Sequence, residues 1–240
     1  MTAVTSIKRR GRLLRVNNPA LSELRTVFKT KVVPVAGTAS VLKPGRDNKK
    51  VGSRVTKGEW KGMPIWTLTL EERKTCSPGC PNLRRCYGNN MHLAARVDHT
   101  DPDFYRALRD ELLALQQRNP QGFVVRLHIL GDFFSTAYAL FWATALLWYP
   151  ALRIYGYTAW ERASEVGKTI LNLRTAHPDR FRVRFSNQGE ANVIPFPIRA
   201  RGKSSWGIVC PAQTHDNVTC ATCTLCWALH SSQPIAFMEH

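Results

Sequence analysis

No stretch of the 240-residue sequence approaches the roughly 18 consecutive apolar residues of a membrane-crossing helix, which excludes a span of that kind. Residues 1–16, MTAVTSIKRRGRLLRV, lack the apolar core of a secretory signal, so the expected compartment is the cytoplasm. Thiols stay reduced there. The seven cysteines cannot all pair, and an odd count in a reducing compartment argues for ligands or catalysts over a disulfide framework. Internal repeats are absent as well.

Acidic residues are scarce, 17 Asp or Glu against 34 Lys or Arg, for a formal net charge of +17. The imbalance is concentrated at the front, where residues 1–75 hold 17 Lys or Arg and 5 Asp or Glu, a net of +12. Such a field draws polyanions and makes any association with nucleic acid steeply salt dependent. A solvated basic tail has the same composition, so charge leaves both readings open.

The order of elements follows from hydrophobic periodicity and turn chemistry. Residues 1–16 read as a basic arm, residues 17–29 as a short helix, and KPGRDNKKVGSRVTKGEWKG as a glycine-punctuated basic flap on the substrate side. PIWTLTL, residues 64–70, is the first expected core strand. Helices are expected from Asp101-Pro102 to about residue 119, over 135–148 and over 164–177, alternating with strands at 123–130, 152–158 and 181–186. Shorter strands at 193–196 and 206–210 bring the strand count to about six. Parallel crossovers of this kind give either an open doubly wound sheet or a complete or partial barrel, with ligands at the C-terminal strand ends; with about six strands the expectation is an α/β fold, a partial (β/α)6-type barrel. The expected division is a basic arm and flap over 1–60, the core over 61–209, and a cysteine-rich metal-cluster appendage over 210–240.

All seven cysteines fall into two groups. Cys76, Cys80 and Cys86 stand in one loop after the first core strand; Cys210, Cys220, Cys223 and Cys226 stand near the other end. Three thiolates leave one position of a tetrahedral or cubane site open, whereas four close it. The C-x2-C-x2-C run at Cys220, Cys223 and Cys226 is the compact spacing of ferredoxin-type iron–sulfur ligation, with Cys210 as the remote fourth ligand. Zinc would use the same four residues, and His215 and His230 are spare ligands nearby. Polar residues also end the strands: Gly131-Asp132 after the second, Tyr157-Thr158 after the third, Ser186-Asn187 after the fourth. Asp132 reads either as a helix cap or as a ligand-facing carboxylate.

Three cysteines, spaced Cys76-x3-Cys80-x5-Cys86 and followed by Tyr87, in a loop after the first strand of a βα array resemble the radical S-adenosylmethionine enzymes. That superfamily's usual loop is C-x3-C-x2-C with an aromatic just before the last cysteine; here five residues precede Cys86 and the aromatic follows it. The sequence also resembles the gene product 88 family of phage and mobile-element proteins. The resemblance rests on GMPIWTLTLEERKTCSPGC, CYGNNM, VRLHILGDFFS, LRIYGYTAW, RFSNQGE and CPAQ with CATCTLCW, over about residues 62–227. The gene product 88 resemblance implies a radical-enzyme-like architecture, and the resemblance to the radical S-adenosylmethionine enzymes implies that Cys76, Cys80 and Cys86 hold a [4Fe–4S] cluster whose free iron binds S-adenosylmethionine. Gly131 and Asp132 would then meet the cofactor's amino group, with Asp132 also a catalytic candidate, while Ser186 and Asn187 would meet the ribose hydroxyls. Tyr87 would contact the cofactor or stack a base, as would Trp60 or Trp66. A second iron–sulfur cluster, or zinc, would occupy the C-terminal group, and an external donor would supply electrons. The expected activity is iron–sulfur catalysis on nucleic acid or a nucleotide. The alternatives are a zinc-stabilised nucleic-acid binder, with His92 completing the first site, and an iron–sulfur electron-transfer protein.

Overall fold

A computed structural model describes residues 12–194, 203–204, 207–228 and 233–238. The fold is mixed α/β. Its principal sheet has five strands in the order β1 (Leu42–Pro44), β2 (Ile65–Leu68), β3 (Phe123–Leu127), β4 (Leu152–Thr158), β5 (Phe181–Phe185). β1 runs antiparallel to β2, and the other three pairings are parallel. Each parallel step from β3 onward is bridged by one helix, α2 (Thr136–Trp148) and then α3 (Glu165–Ala176), while α1 (Phe104–Arg118) precedes β3. Three expected helices and four expected strands are therefore present. The expected helix at 17–29 is a single turn, Pro19–Ser22.

The helices start where short polar side chains catch free amides. Ser135 Oγ accepts from Tyr138 N at 3.0 Å, and Ser164 Oγ accepts from Gly167 N at 3.1 Å. The helix expected from Asp101 begins later, at Phe104, and the Asp101 carboxylate accepts from Val35 N and Asp103 N, both at 2.8 Å. The α1 stripe Phe104, Leu108, Leu112 and Leu115 packs with Trp142, Leu146, Ile170 and Leu173 of the other helices onto Phe123, Val125, Leu127, Ile154, Phe181 and Val183 of the sheet. Fully burying each such side chain contributes about 1.5–3 kcal/mol.

All three long helices thus cover one face of the sheet. Successive right-handed crossovers that advance in one direction have that result, since the winding never reverses. A six-stranded barrel wall is not what the hydrogen bonds describe, because the sheet ends at β1 and β5. The segment counted as the next strand instead joins a second, four-stranded sheet. That sheet has the order β6 (Ala191–Ile194), β9 (Ile235–Met238), β8 (Gly207–Val209), β7 (Lys203–Ser204). The parts of the expected strands at 195–196 and at 206 lie outside the described residues, as does most of the basic arm.

The opposite face of the principal sheet is covered by loop and C-terminal residues. Val51, Val55, Trp60, Cys220, Ala221 and Trp227 pack there against Ile65, Val124 and Tyr155. Backbone bonds join the basic flap to the cysteine-rich segment: Cys220 N to Lys50 O at 2.7 Å, Ala221 N to Val51 O at 2.9 Å, Thr56 N to Ala221 O at 3.0 Å. Among the described residues no helix is long and apolar enough to cross a membrane.

Gly156 tests the closeness of the central strands. A Cβ there would stand 1.5 Å from the Leu127 carbonyl oxygen, on the strand that pairs with it. Gly156→Ala is expected to lower stability by more than about 3 kcal/mol, read as a fall in the urea midpoint.

Candidate cysteine sites on the sheet

The loop that carries Cys76, Cys80 and Cys86 leaves β2 and returns at Val97, and a buried carboxylate organises it. Glu72 is fully buried and receives Arg96 Nε at 2.8 Å, Arg96 Nη2 at 3.1 Å and Thr26 Oγ1 at 2.7 Å. Arg96 also donates to the carbonyls of Met91 at 2.9 Å, Gly88 at 3.2 Å and Ala94. Arg73 lies 3.8 Å from Glu72 and donates to Leu83 O at 2.9 Å, Arg25 O at 3.1 Å and the Asn89 side chain. Two guanidinium groups therefore pin four carbonyls of the loop around one carboxylate. No motif in the sequence singled these residues out; the charged EER following an apolar strand was the available sign.

Within that frame the backbone turns tightly at each cysteine. Cys76 N donates to Arg73 O at 3.3 Å, Cys80 N to Ser77 O at 3.0 Å and Asn89 N to Cys86 O at 2.9 Å. Arg73 N points at Cys76 Sγ, 3.4 Å away. Burial holds all three thiols above their usual pKa, Cys86 at about 11. Charge on Cys80, Cys86 or Asp132 raises Cys76 further, which puts these groups within electrostatic reach of one another. A cation that bound here would have to displace their protons.

The strand ends beside this loop are tied into one rim. Gly131 has φ +84°, and a Cβ on it would meet Thr75 Oγ1 at 2.4 Å and Leu70 Cβ at 2.8 Å, so the chain passes the cysteine loop at glycine's distance. Asp132 is buried and accepts from Phe133 N and Ala159 N, each at 2.7 Å, while its own amide donates to Thr75 Oγ1 at 3.3 Å. It braces the ends of β3 and β4. Ser186 N donates to Thr158 O at 2.8 Å, and Asn187, at φ +59°, uses its side chain to accept from Val193 N at 3.3 Å. Glu190 closes the rim: it accepts from Phe185 N at 3.0 Å and pairs with Arg162 at 2.5 Å and Arg174 at 2.9 Å. Sequence reasoning missed Glu190 too.

The C-terminal cysteines lie on the sheet face away from the helices. Thr219 and Thr222 exchange capping bonds around the turn Cys220–Cys223, and Cys210 N donates to Ala236 O at 2.9 Å. Cys226 and then the neighbouring guanidinium of Arg126 hold the Cys220 thiol below its usual pKa, while Cys220 and burial hold Cys226 above it. Burial and Cys220 push Cys210 up to about 11, and Cys223 acts on it as well. Arg126 Nη1 stands 3.6 Å from Cys220 Sγ. Trp60 is stacked on Trp227 with centroids 5.3 Å apart, and its indole nitrogen donates to Asp179 O at 3.2 Å. Buried in that stack, Trp60 is not the base-stacking surface expected of it. Trp66 packs edge-on against Phe123. Tyr87 follows Cys86, and its hydroxyl is within electrostatic reach of Cys86, Cys76 and Arg126.

A family model for gene product 88 matches residues 40–217. The chain belongs to the gene product 88 family. No curated protein and no solved structure matches it. The gene product 88 match takes in Cys76, Cys80, Cys86, Gly131, Asp132, Ser186, Asn187 and Cys210, and stops three residues short of Cys220. Among the described residues, no group of three or more His, Cys, Asp or Glu side chains is arranged to hold a metal ion. His92, weighed as a completing ligand, has its ring against Phe28 at 6.4 Å. His215 Nδ1 is 2.8 Å from Thr214 Oγ1, and His230 lies outside the described residues.

Two predictions follow from the buried charges. Glu72→Gln strands Arg96 without its counter-charge, and the expected loss is about 3–5 kcal/mol in a urea titration. Burial pushes Asp132 up to about 7, outweighing the amides of Ala159 and Phe133 and the Thr158 hydroxyl. Its ionisation therefore opposes folding, with no cost below the unfolded value near 4, a rising cost between about 4 and 7, and the full cost above that. Asp132→Asn should abolish that fall in melting temperature across the window; an unchanged pH slope contradicts the assignment.

Proposed function

We propose that the protein is an iron–sulfur enzyme of radical S-adenosylmethionine type, with Cys76, Cys80 and Cys86 as ligands of a [4Fe–4S] cluster. The observation that carries this reading is three thiols of one loop, in electrostatic reach of one another and of Asp132, beside the C-terminal ends of parallel strands. Parallel α/β sheets take their ligands at that edge. A cubic cluster attaches each thiolate to a different iron, so its ligands need not converge on a single ion. The donor set fits, being soft, half-buried and three in number.

When bound there by Cys76, Cys80 and Cys86, such a cluster would supply one-electron reduction of S-adenosylmethionine with an electron from an external donor, the chemistry that would break the sulfur–C5′ bond to give methionine and a 5′-deoxyadenosyl radical. The chain's own part is to bind, orient and shield. The Glu72 network fixes the loop, and Gly131 lets the second strand end come close to it. With both carboxylate oxygens engaged by backbone amides, Asp132 is a positioning residue in this reading rather than a proton-transfer group. Ser186 and Asn187 follow β5, two strands beyond β3, and are the candidates for the ribose, with Tyr87 flanking the cluster. The C-terminal cysteines hold a second centre. The substrate in this proposal is a nucleic acid or nucleotide, attracted by the basic N-terminal third.

Anaerobically reconstituted protein should be brown and should release 5′-deoxyadenosine from S-adenosylmethionine under a strong reductant, while Cys80→Ala falls to background. Colourless protein with stoichiometric zinc, or undiminished cleavage by Cys80→Ala, overturns the reading.

A further inference from the structure

The face of the sheet away from the helices carries polar side chains with nothing to satisfy them. Along β3 the alternation sets Val124 and Arg126 on that face, along β4 Tyr155 and Tyr157, along β5 Arg182 and Arg184. Arg126 Nε and the hydroxyls of Tyr155 and Tyr157 are buried without a partner in hydrogen-bond geometry. Orphaned buried donors are rare in folded proteins and call for an acceptor. They converge on sulfur. Arg126 Nη1 lies 3.6 Å from Cys220 Sγ, and the Tyr155 and Tyr157 hydroxyls are within electrostatic reach of Cys220 and Cys226 respectively. Arg184 holds the segment in place through the carbonyls of Cys226 at 3.0 Å and Leu225 at 3.4 Å.

Arg126 is half-buried with its Nε sealed from water, and a charge in that position is stabilised by an anion beside it. The groups acting most strongly on Arg126 are Tyr155, Cys220, Tyr87 and Tyr157, all of them thiols or phenols. Neutral thiols and phenols do not balance the charge; an anionic thiolate-ligated centre does. We propose that Cys210, Cys220, Cys223 and Cys226 hold an iron–sulfur centre against this face, and that Arg126, Tyr155 and Tyr157 donate hydrogen bonds to its sulfurs and raise its reduction potential. The inference rests on the sulfur-ligated second centre proposed above. Hydrogen bonds and positive charge at the sulfurs stabilise the reduced, more negative state of such a centre, so removing them makes reduction harder.

The test uses the full chain with Cys76, Cys80 and Cys86 all replaced by Ala, which leaves only the C-terminal group to be loaded with iron and sulfide under anaerobic conditions. Titration with dithionite, followed by absorbance and electron paramagnetic resonance, gives the potential. Retained iron and sulfide are expected. Adding Arg126→Met should lower the equilibrium constant for reduction about tenfold, 59 mV for one electron, and Tyr157→Phe should shift it the same way by less. Zinc in place of iron overturns the proposal, and so does an iron centre whose potential neither substitution moves. Tyr157→Phe removes a single hydroxyl and decides the matter where Arg126→Met does not fold. S-adenosylmethionine cleavage in the unsubstituted protein is read separately, so a failure here leaves the reading of Cys76, Cys80 and Cys86 standing.

Discussion

A single buried carboxylate governs the shape of the cysteine loop. Twenty-odd residues between Leu70 and Val97 contain almost no regular structure, and a loop of that size in a folded core needs partners for its carbonyls. Glu72 provides them indirectly. It neutralises Arg96 and stands beside Arg73, and those two guanidinium groups then reach carbonyls of residues 83, 88, 91 and 94. The closeness of Gly88 follows from the same arrangement, since a Cβ there would touch the Glu72 carboxyl at 2.9 Å. Apolar packing cannot fix such a loop, because few of its side chains reach a core; charge paired in the dry interior can.

The sheet divides its labour by face. Phe123, Val125 and Leu127 alternate with Val124 and Arg126, and the same split separates Leu152 and Ile154 from Tyr155 and Tyr157. The helical face supplies stability through ordinary burial, which leaves the other face free to keep guanidinium and phenol groups out of water. Keeping them there is unfavourable on its own. The flap and the C-terminal segment make it tenable by hydrogen bonding to each other across this face and stacking Trp60, Trp227 and Tyr155 above it.

Helices and strands were legible because their periods are local properties of the chain: the Phe104, Leu108, Leu112 and Leu115 stripe and the runs FVVRL and FRVRF stand where expected. The clustering of cysteines was legible for the same reason. Closure was not, since whether a sixth strand continues the wall or starts another sheet depends on pairing with Ile235–Met238, some forty residues further on. The role of Arg126 was half visible. Alternation in VVRLH puts an arginine on one face of a buried strand, but the sequence alone does not say that Cys220, 94 residues away, covers it. Glu72 and Arg96 were invisible as a pair, because nothing in spacing links charges on opposite ends of an irregular loop.

The two cysteine groups are not equivalent in their surroundings, and the difference bears on what each can do. Around Cys76, Cys80 and Cys86, burial, Asp132 and the neighbouring thiols raise Cys76, while Arg73 works against burial at Cys80 and Cys86, and the donor seen at sulfur is the backbone amide of Arg73. A centre held there would lack the side-chain donors that face the other group. Around Cys220 and Cys226, one arginine and two phenols are turned toward sulfur. A centre held there is eased toward its reduced form, as an electron store must be. Tyr87 and Arg126 are within electrostatic reach of each other. On the proposed reading, the polarity of the sheet face, fixed by simple alternation along three strands, would make the C-terminal centre the easier of the two to reduce.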